Sequence, residues 1–86
     1  MPTISSFFGI LIRMYVQNEH NPPHFHAKYG EYKAIFNFDG DIIEGKFPAK
    51  QTKLIAAWTE IHREELEANW ELAIAGDELY KIDPLR

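Results

Sequence analysis

The sequence predicts an α+β fold, in which a four-stranded antiparallel β-meander is covered on one face by one kinked or two C-terminal helices. Three observations support this. Apolar and polar residues alternate up to about residue 47, two short glycine-containing turns interrupt that stretch, and from Pro48 the apolar spacing becomes that of a helix. With 86 residues, 45% of them hydrophobic, we expect a single domain, 1–86, with strands over about 7–47 and helix over about 49–75.

The first predicted strand runs from Phe7 to Val16. One set of alternate residues is wholly apolar, and the other set ends in Arg13 and Tyr15. This alternation is typical of a strand with one covered face. If the strand pairs antiparallel with the strand that contains His24, then Arg13 and Tyr15 lie on the polar face of the sheet.

Two hairpins follow. Gly30-Glu31 favours a two-residue type II′ turn, and Asp39-Gly40 favours a type I′ turn. Turns of two residues fix the register, which pairs Phe25 with Phe36, Ala27 with Ala34, Phe36 with Ile43, and Ala34 with Gly45.

This register makes one face of the predicted sheet apolar and the other polar. The apolar face holds Phe25, Ala27, Tyr29, Tyr32, Ala34, Phe36, Phe38, Ile43, Gly45 and Phe47. The polar face holds His24, His26, Lys28, Lys33, Ile35, Asn37, Ile42, Glu44 and Lys46. A slip of one residue would mix the two sets, so the agreement between the hairpins supports the register.

The second half of the chain has a helical apolar stripe, formed by Leu54, Trp58, Ile61, Leu66, Trp70 and Ala73. An unbroken helix over 49–75 would be about 40 Å long. We therefore expect a break near His62-Arg63, with His62 as a packing or hinge residue and both tryptophans in the core. Gly76 is expected to end the helix, and Leu79 to Ile82 to add a short edge strand.

Charge and composition limit the function. The formal net charge is −4, which argues against a nonspecific nucleic-acid binder, and the absence of cysteine excludes disulfides and thiolate metal sites. No apolar run approaches the length of a membrane span, and the first residues carry no basic signal region. The expected location is a reducing cytoplasm, without a membrane partner.

The segment His20-Asn21-Pro22-Pro23-His24-Phe25-His26 holds three of the four histidines. Alternate residues of a strand share a face, so His24 and His26 could bind a divalent transition metal with His20 as a third ligand. Alternatively, His24 and His26 could transfer protons in RNA cleavage, while Arg13 and Lys28 or Lys33 stabilise the charge on the phosphate. Tyr15 lies on the same predicted face and is a further candidate catalytic residue. A purely structural role for the histidines is the third interpretation, and the sequence leaves all three open.

Several segments together resemble a family of small bacterial proteins of unknown function. They are Pro2-Thr3-Ile4-Ser5, Gly9 to Met14, the His20 to His26 segment, Tyr29-Gly30-Glu31, Trp58, His62 to Leu66, and Asn69-Trp70. The resemblance implies no catalytic residue, because none is defined for the family. It does imply a genetic setting, since such genes often lie beside another small gene in pairs proposed to be toxin–antitoxin modules. The expected function is therefore that of a protein-binding component of a two-gene module, with an RNA-cleaving enzyme or a metal-binding protein as alternatives.

Overall fold

Five strands and two helices make up the computed structural model, which describes residues 2–15 and 22–86. The elements are β1 (Thr3–Phe7), β2 (Ile10–Arg13), β3 (His24–Tyr29), β4 (Tyr32–Asn37), β5 (Ile42–Lys46), α1 (Ala49–Ile61) and α2 (Arg63–Ala75). The strands form one antiparallel sheet in the order β1-β2-β3-β4-β5. The α+β class and the meander are confirmed, with five strands where four were predicted.

The additional strand results from a turn at Phe8-Gly9. Both residues have positive φ angles, 49° and 79°, as a type I′ hairpin turn requires. Phe7 consequently pairs with Ile10 across the turn. A Phe-Gly dipeptide is not a usual type I′ sequence, because Phe rarely adopts positive φ. The prediction of one continuous strand from Phe7 was wrong for this reason, and its predicted end at Val16 lies outside the described residues.

The hairpin between β3 and β4 has the predicted register. Phe25 pairs with Phe36 and Ala27 with Ala34, up to the turn at Gly30. Gly30 has a φ of 57°, and Glu31 is not among the residues with positive φ, which is the type II′ pattern.

The loop between β4 and β5 differs from the predicted type I′ turn. Asn37 causes the difference, because its side-chain oxygen accepts hydrogen bonds from the backbone N–H groups of Asp39 and Asp41 at 2.9 and 3.0 Å. Gly40 has a φ of 84° and donates its N–H to the Asn37 carbonyl oxygen at 3.1 Å. The result is a three-residue loop with a left-handed residue at its end. The carboxylate of Asp39 also accepts a hydrogen bond from the guanidinium group of Arg63, and the two groups form an ion pair. This hydrogen bond raises the pKa of Arg63.

A bulge in β5 absorbs the additional loop residue. Phe36 pairs with Ile42 rather than with Ile43, whereas Ala34 pairs with Gly45 as predicted. The bulge exchanges the faces of two side chains. Ile42 packs against the core and Ile43 is 45% exposed, so the predicted faces of these two residues were wrong.

Both helices cover the apolar face of the sheet. The Trp58 ring of α1 lies 5.4 Å from Phe7 and 5.7 Å from Phe25, and the Trp70 ring of α2 lies 6.2 Å from Phe38, centroid to centroid. The chain bends at His62, whose ring packs 5.7 Å from Trp58 and whose Nδ1 bonds the Glu65 carboxylate at 2.6 Å. The predicted break, the core position of both tryptophans and the hinge role of His62 are confirmed.

The end of α2 is the predicted glycine cap. Gly76 has a φ of 77° and donates its N–H to the carbonyl of Ala73, and Asp77 donates to Leu72. This pair of bonds is the Schellman motif, which satisfies carbonyl groups at a helix end.

The C-terminal segment after Gly76 forms no regular strand, so the predicted edge strand over Leu79 to Ile82 was wrong. Its backbone bonds mainly to helix side chains instead of to a neighbouring strand. Asn69 bonds both the carbonyl and the N–H of Tyr80 at 2.8 and 3.0 Å, and Trp58 Nε1 donates to the Asp83 carbonyl at 2.8 Å. One ladder-like bond runs from the Ile82 N–H to the β1 carbonyl of Ile4 at 2.7 Å. In the described parts of the chain, no helix is long and apolar enough to cross a bilayer.

Candidate functional site

The face of the sheet opposite the helices is open to solvent and concave. We call it the open face and define it by nine residues: Leu11, Arg13, Tyr15, His26, Lys28, Lys33, Ile35, Glu44 and Lys46. The strand register arranges eight of them in two rows across the strands. One row is Arg13–His26–Ile35–Glu44, and the other is Leu11–Lys28–Lys33–Lys46. All but Lys46 line a depression of about 330 Å³.

Arg13 occupies the β2 position of the first row, directly opposite His26 on β3. Its Nε–H is buried and has no acceptor among residues 2–15 and 22–86. The ion pairs of these same residues involve other groups, at Arg63 and His62. A buried guanidinium N–H that lacks an acceptor is costly to the folded chain.

His26 is held between two rings. The Tyr15 ring meets it edge to face with centroids 4.2 Å apart, and the His24 ring lies 5.4 Å away. The His26 side chain is partly exposed and lines the depression. The prediction that Arg13 and Tyr15 share a face with His26 is therefore confirmed.

His24 has a different environment, and the expectation that both imidazoles are open to solvent was wrong for it. The residue is only 8% exposed, and its ring packs 5.2 Å from Trp70 of α2. Its Nδ1–H donates to the Pro22 carbonyl at 2.8 Å. The cause is its position as the first residue of β3, where Trp70 and the preceding backbone cover the imidazole. His24 thus serves as a packing residue that supports His26 from one side.

The predicted metal site of His20, His24 and His26 is not assembled by the described residues. His20 lies outside them, and no group of three His, Cys, Asp or Glu within the described ranges could hold a metal ion. The hydrogen bond of His24 Nδ1 leaves Nε2 as its free ring nitrogen. A metal at this position therefore stays a prediction that depends on His20.

The second row places three lysines side by side on adjacent strands. Lys28 is the register partner of Lys33, and Lys33 is the partner of Lys46. All three are exposed. Like charges directly opposite each other on a sheet are destabilising. The row is therefore not explained by the stability of the folded chain.

The charges of the molecule are unevenly distributed. The open face carries Arg13 and the three lysines, four of the nine basic side chains, and a single one of the 13 acidic ones, Glu44. The helices carry an acidic surface, formed by the exposed residues Glu60, Glu64, Glu65, Glu67 and Glu71. The open face is thus basic in a chain whose formal net charge is −4.

Leu11 and Gly45 are among the lining residues of the depression that were missed as site residues in the sequence. Leu11 lies between predicted core residues and carries no chemical signal. Gly45 carries one, because a glycine inside a strand indicates a close backbone approach. A Cβ at Gly45 would lie 2.4 Å from the carbonyl oxygen of Lys33.

The fold and the open face define a small, single-sheet α+β domain with one covered and one solvent-exposed sheet face. A family model described as a domain of unknown function, DUF4160, matches residues 9–71, and the chain belongs to this family. The match includes the whole open face, whereas β1 and the C-terminal segment lie outside it. No curated protein and no solved structure gives a significant match to the sequence.

Proposed function

We propose that this protein is the protein-binding component of a two-gene, toxin–antitoxin-like module, and that it binds the product of the adjacent gene with its open face. The observation that carries the proposal is the row of exposed lysines with Arg13 beside it. Among the described residues, none of these four side chains forms an ion pair. That the partner is encoded by an adjacent gene is what the family resemblance implies.

The composition of the open face favours a protein over a small molecule as the partner. Arg13 and Tyr15 are of the residue types enriched at interface centres, and the half-buried aliphatic side chains of Leu11 and Ile35 lie beside them. A shallow surface that mixes aromatic, aliphatic and cationic groups suits a protein interface, whereas small-molecule sites are mainly apolar and enclosed.

The test is co-expression with the product of the adjacent gene, followed by size-exclusion chromatography and a binding titration. The two proteins are expected to elute together. Tyr15→Ala is expected to weaken the complex at least tenfold, as is usual for a buried aromatic anchor. The matched control is Tyr80→Ala, because Tyr80 is 72% exposed and lies outside the open face. Separate elution, or equal effects of both tyrosine variants, would contradict the proposal.

A second candidate function is RNA cleavage, which the pairing of Arg13 with His26 favours. His26 would take the proton from the attacking hydroxyl and return it to the leaving oxygen of the phosphodiester, and Arg13 would stabilise the charge on the phosphate. Tyr15 and His24 would orient the His26 ring. The experiment is incubation of purified protein with a labelled RNA. Cleavage that His26→Ala abolishes and Tyr80→Ala leaves intact supports this function, whereas intact RNA, or equal cleavage by the His26 variant, rejects it.

A further inference from the structure

The second row on the open face has a regular spacing that the register defines. Cross-strand neighbours on one face have Cβ atoms about 4.5–5.5 Å apart. Leu11, Lys28, Lys33 and Lys46 therefore form a line about 15 Å long that runs across four strands. The line begins with one aliphatic group and continues with three positive charges.

An α-helix presents side chains at a matching interval. Residues three and four positions apart lie about 5–6 Å from each other on one face of a helix. A helix lying across the strands would thus bring one side chain per turn opposite each member of the row. An apolar residue followed by three acidic residues, each three or four positions further on, would match Leu11 and the three lysines in order.

We propose that the row Leu11–Lys28–Lys33–Lys46 is the docking site for an acidic helix of the partner protein. This inference rests on the proposed protein-binding function and specifies the chemistry of the segment that is bound. The bound carboxylates would replace the repulsion among the lysines with ion pairs, which would offset in the complex the cost of the row to the free protein.

An acidic helix fits the open face better than a polynucleotide does. Leu11 offers an aliphatic contact at one end of the row, which a phosphate backbone would leave unused. Glu44 in the neighbouring row and the formal net charge of −4 both repel a polyanion as long and as highly charged as RNA. The acidic side chains of such a helix, by contrast, lie only along the face that contacts the lysine row.

The experiment measures binding of two synthetic helical peptides to the full chain at low ionic strength by fluorescence anisotropy. The first peptide carries a leucine and three glutamates along one face, at intervals of three or four residues. The second has the same composition with the glutamates distributed around the helix. The first peptide is expected to bind about tenfold more tightly, because three weak ion pairs act together.

Lys33→Gln is expected to remove this preference, since Lys33 is the middle of the row. Lys53→Gln on α1 is the matched control, because Lys53 is equally an exposed lysine, and it should keep the preference. Circular dichroism verifies that both variants are folded. Equal binding of the two peptides, an unchanged preference in Lys33→Gln, or tighter binding of a single-stranded oligonucleotide than of the first peptide would overturn the inference.

These outcomes are separate from those of the proposed function. If the product of the adjacent gene binds but neither peptide preference nor Lys33 dependence is found, the inference of an acidic helix is wrong, whereas the proposed binding function stands. If the peptide preference is found but the product of the adjacent gene elutes alone, the inferred docking site stands, whereas the proposal of a two-gene module is wrong.

Discussion

Gly45 is the position where a single added methyl group should do most damage to the sheet. Its φ angle is 90°, which side-chain-bearing residues avoid, and a Cβ there would lie 2.4 Å from the carbonyl oxygen of Lys33 and 2.9 Å from the Cα of Ala34. The left-handed conformation costs an alanine about 1–2 kcal/mol. The contacts are with backbone, which cannot rotate away, so β4 and β5 must separate locally. We expect Gly45→Ala to lower the free energy of unfolding by about 3 kcal/mol in total.

Gly30→Ala is the matched control for this prediction. Gly30 also has a positive φ, 57°, but nothing lies within 4 Å of the position that a Cβ would take. Its substitution therefore measures the conformational cost alone, about 1 kcal/mol. Urea unfolding followed by tryptophan fluorescence gives both values. Equal losses in the two variants would refute the reasoning, because they would show that the β4–β5 contact at Gly45 has no steric cost.

Three further predictions concern the C-terminal segment, the two histidines of β3 and the lysine row. Asn69→Ala should lower the free energy of unfolding by about 2 kcal/mol, because the buried Asn69 side chain loses two part-buried hydrogen bonds to the C-terminal segment; an unchanged urea midpoint would contradict this. His24→Ala should destabilise the protein by about 2 kcal/mol, and His26→Ala by less, because only the imidazole of His24 is buried. A lower melting temperature for His26→Ala than for His24→Ala would disprove the packing role of His24. Lys33→Gln should stabilise the free protein by about 0.5 kcal/mol at low salt, because it relieves two cross-strand repulsions, and the gain should shrink as salt is added. A melting temperature that falls in Lys33→Gln would show that the lysine row is not under strain.

The parts of the fold that follow local rules could be predicted from the sequence. The Gly30-Glu31 turn fixes β3 against β4, since a glycine at the first turn position determines both loop length and register. The change of apolar period at Pro48 locates α1, and the length limit of a small domain requires the break at His62. The placement of Arg13 and Tyr15 on the face of His26 followed from the alternation of apolar residues in the first strand, together with the assumption that this strand pairs antiparallel with β3.

The parts that could not be predicted depend on competing interactions. Phe8 adopts a positive φ because burial of Phe7 and Ile10 on the same hairpin compensates for its strain, and no local rule shows this. At the β4–β5 loop, the Asp-Gly signal for a two-residue turn was overridden by the side chain of Asn37. The burial of His24 depends on Trp70, which lies far along the chain.

The separation of the two sheet faces determines how the binding experiments can be interpreted. Aromatic packing on the covered face, with Trp58 against Phe25, supplies stability, whereas the lysine row on the open face reduces it. Neutralising Lys33 should therefore make the free protein more stable while it weakens the complex. A variant that loses a function only because it unfolds must show both quantities falling together. Opposite changes in stability and affinity would thus assign the open face to binding, independently of which partner is used.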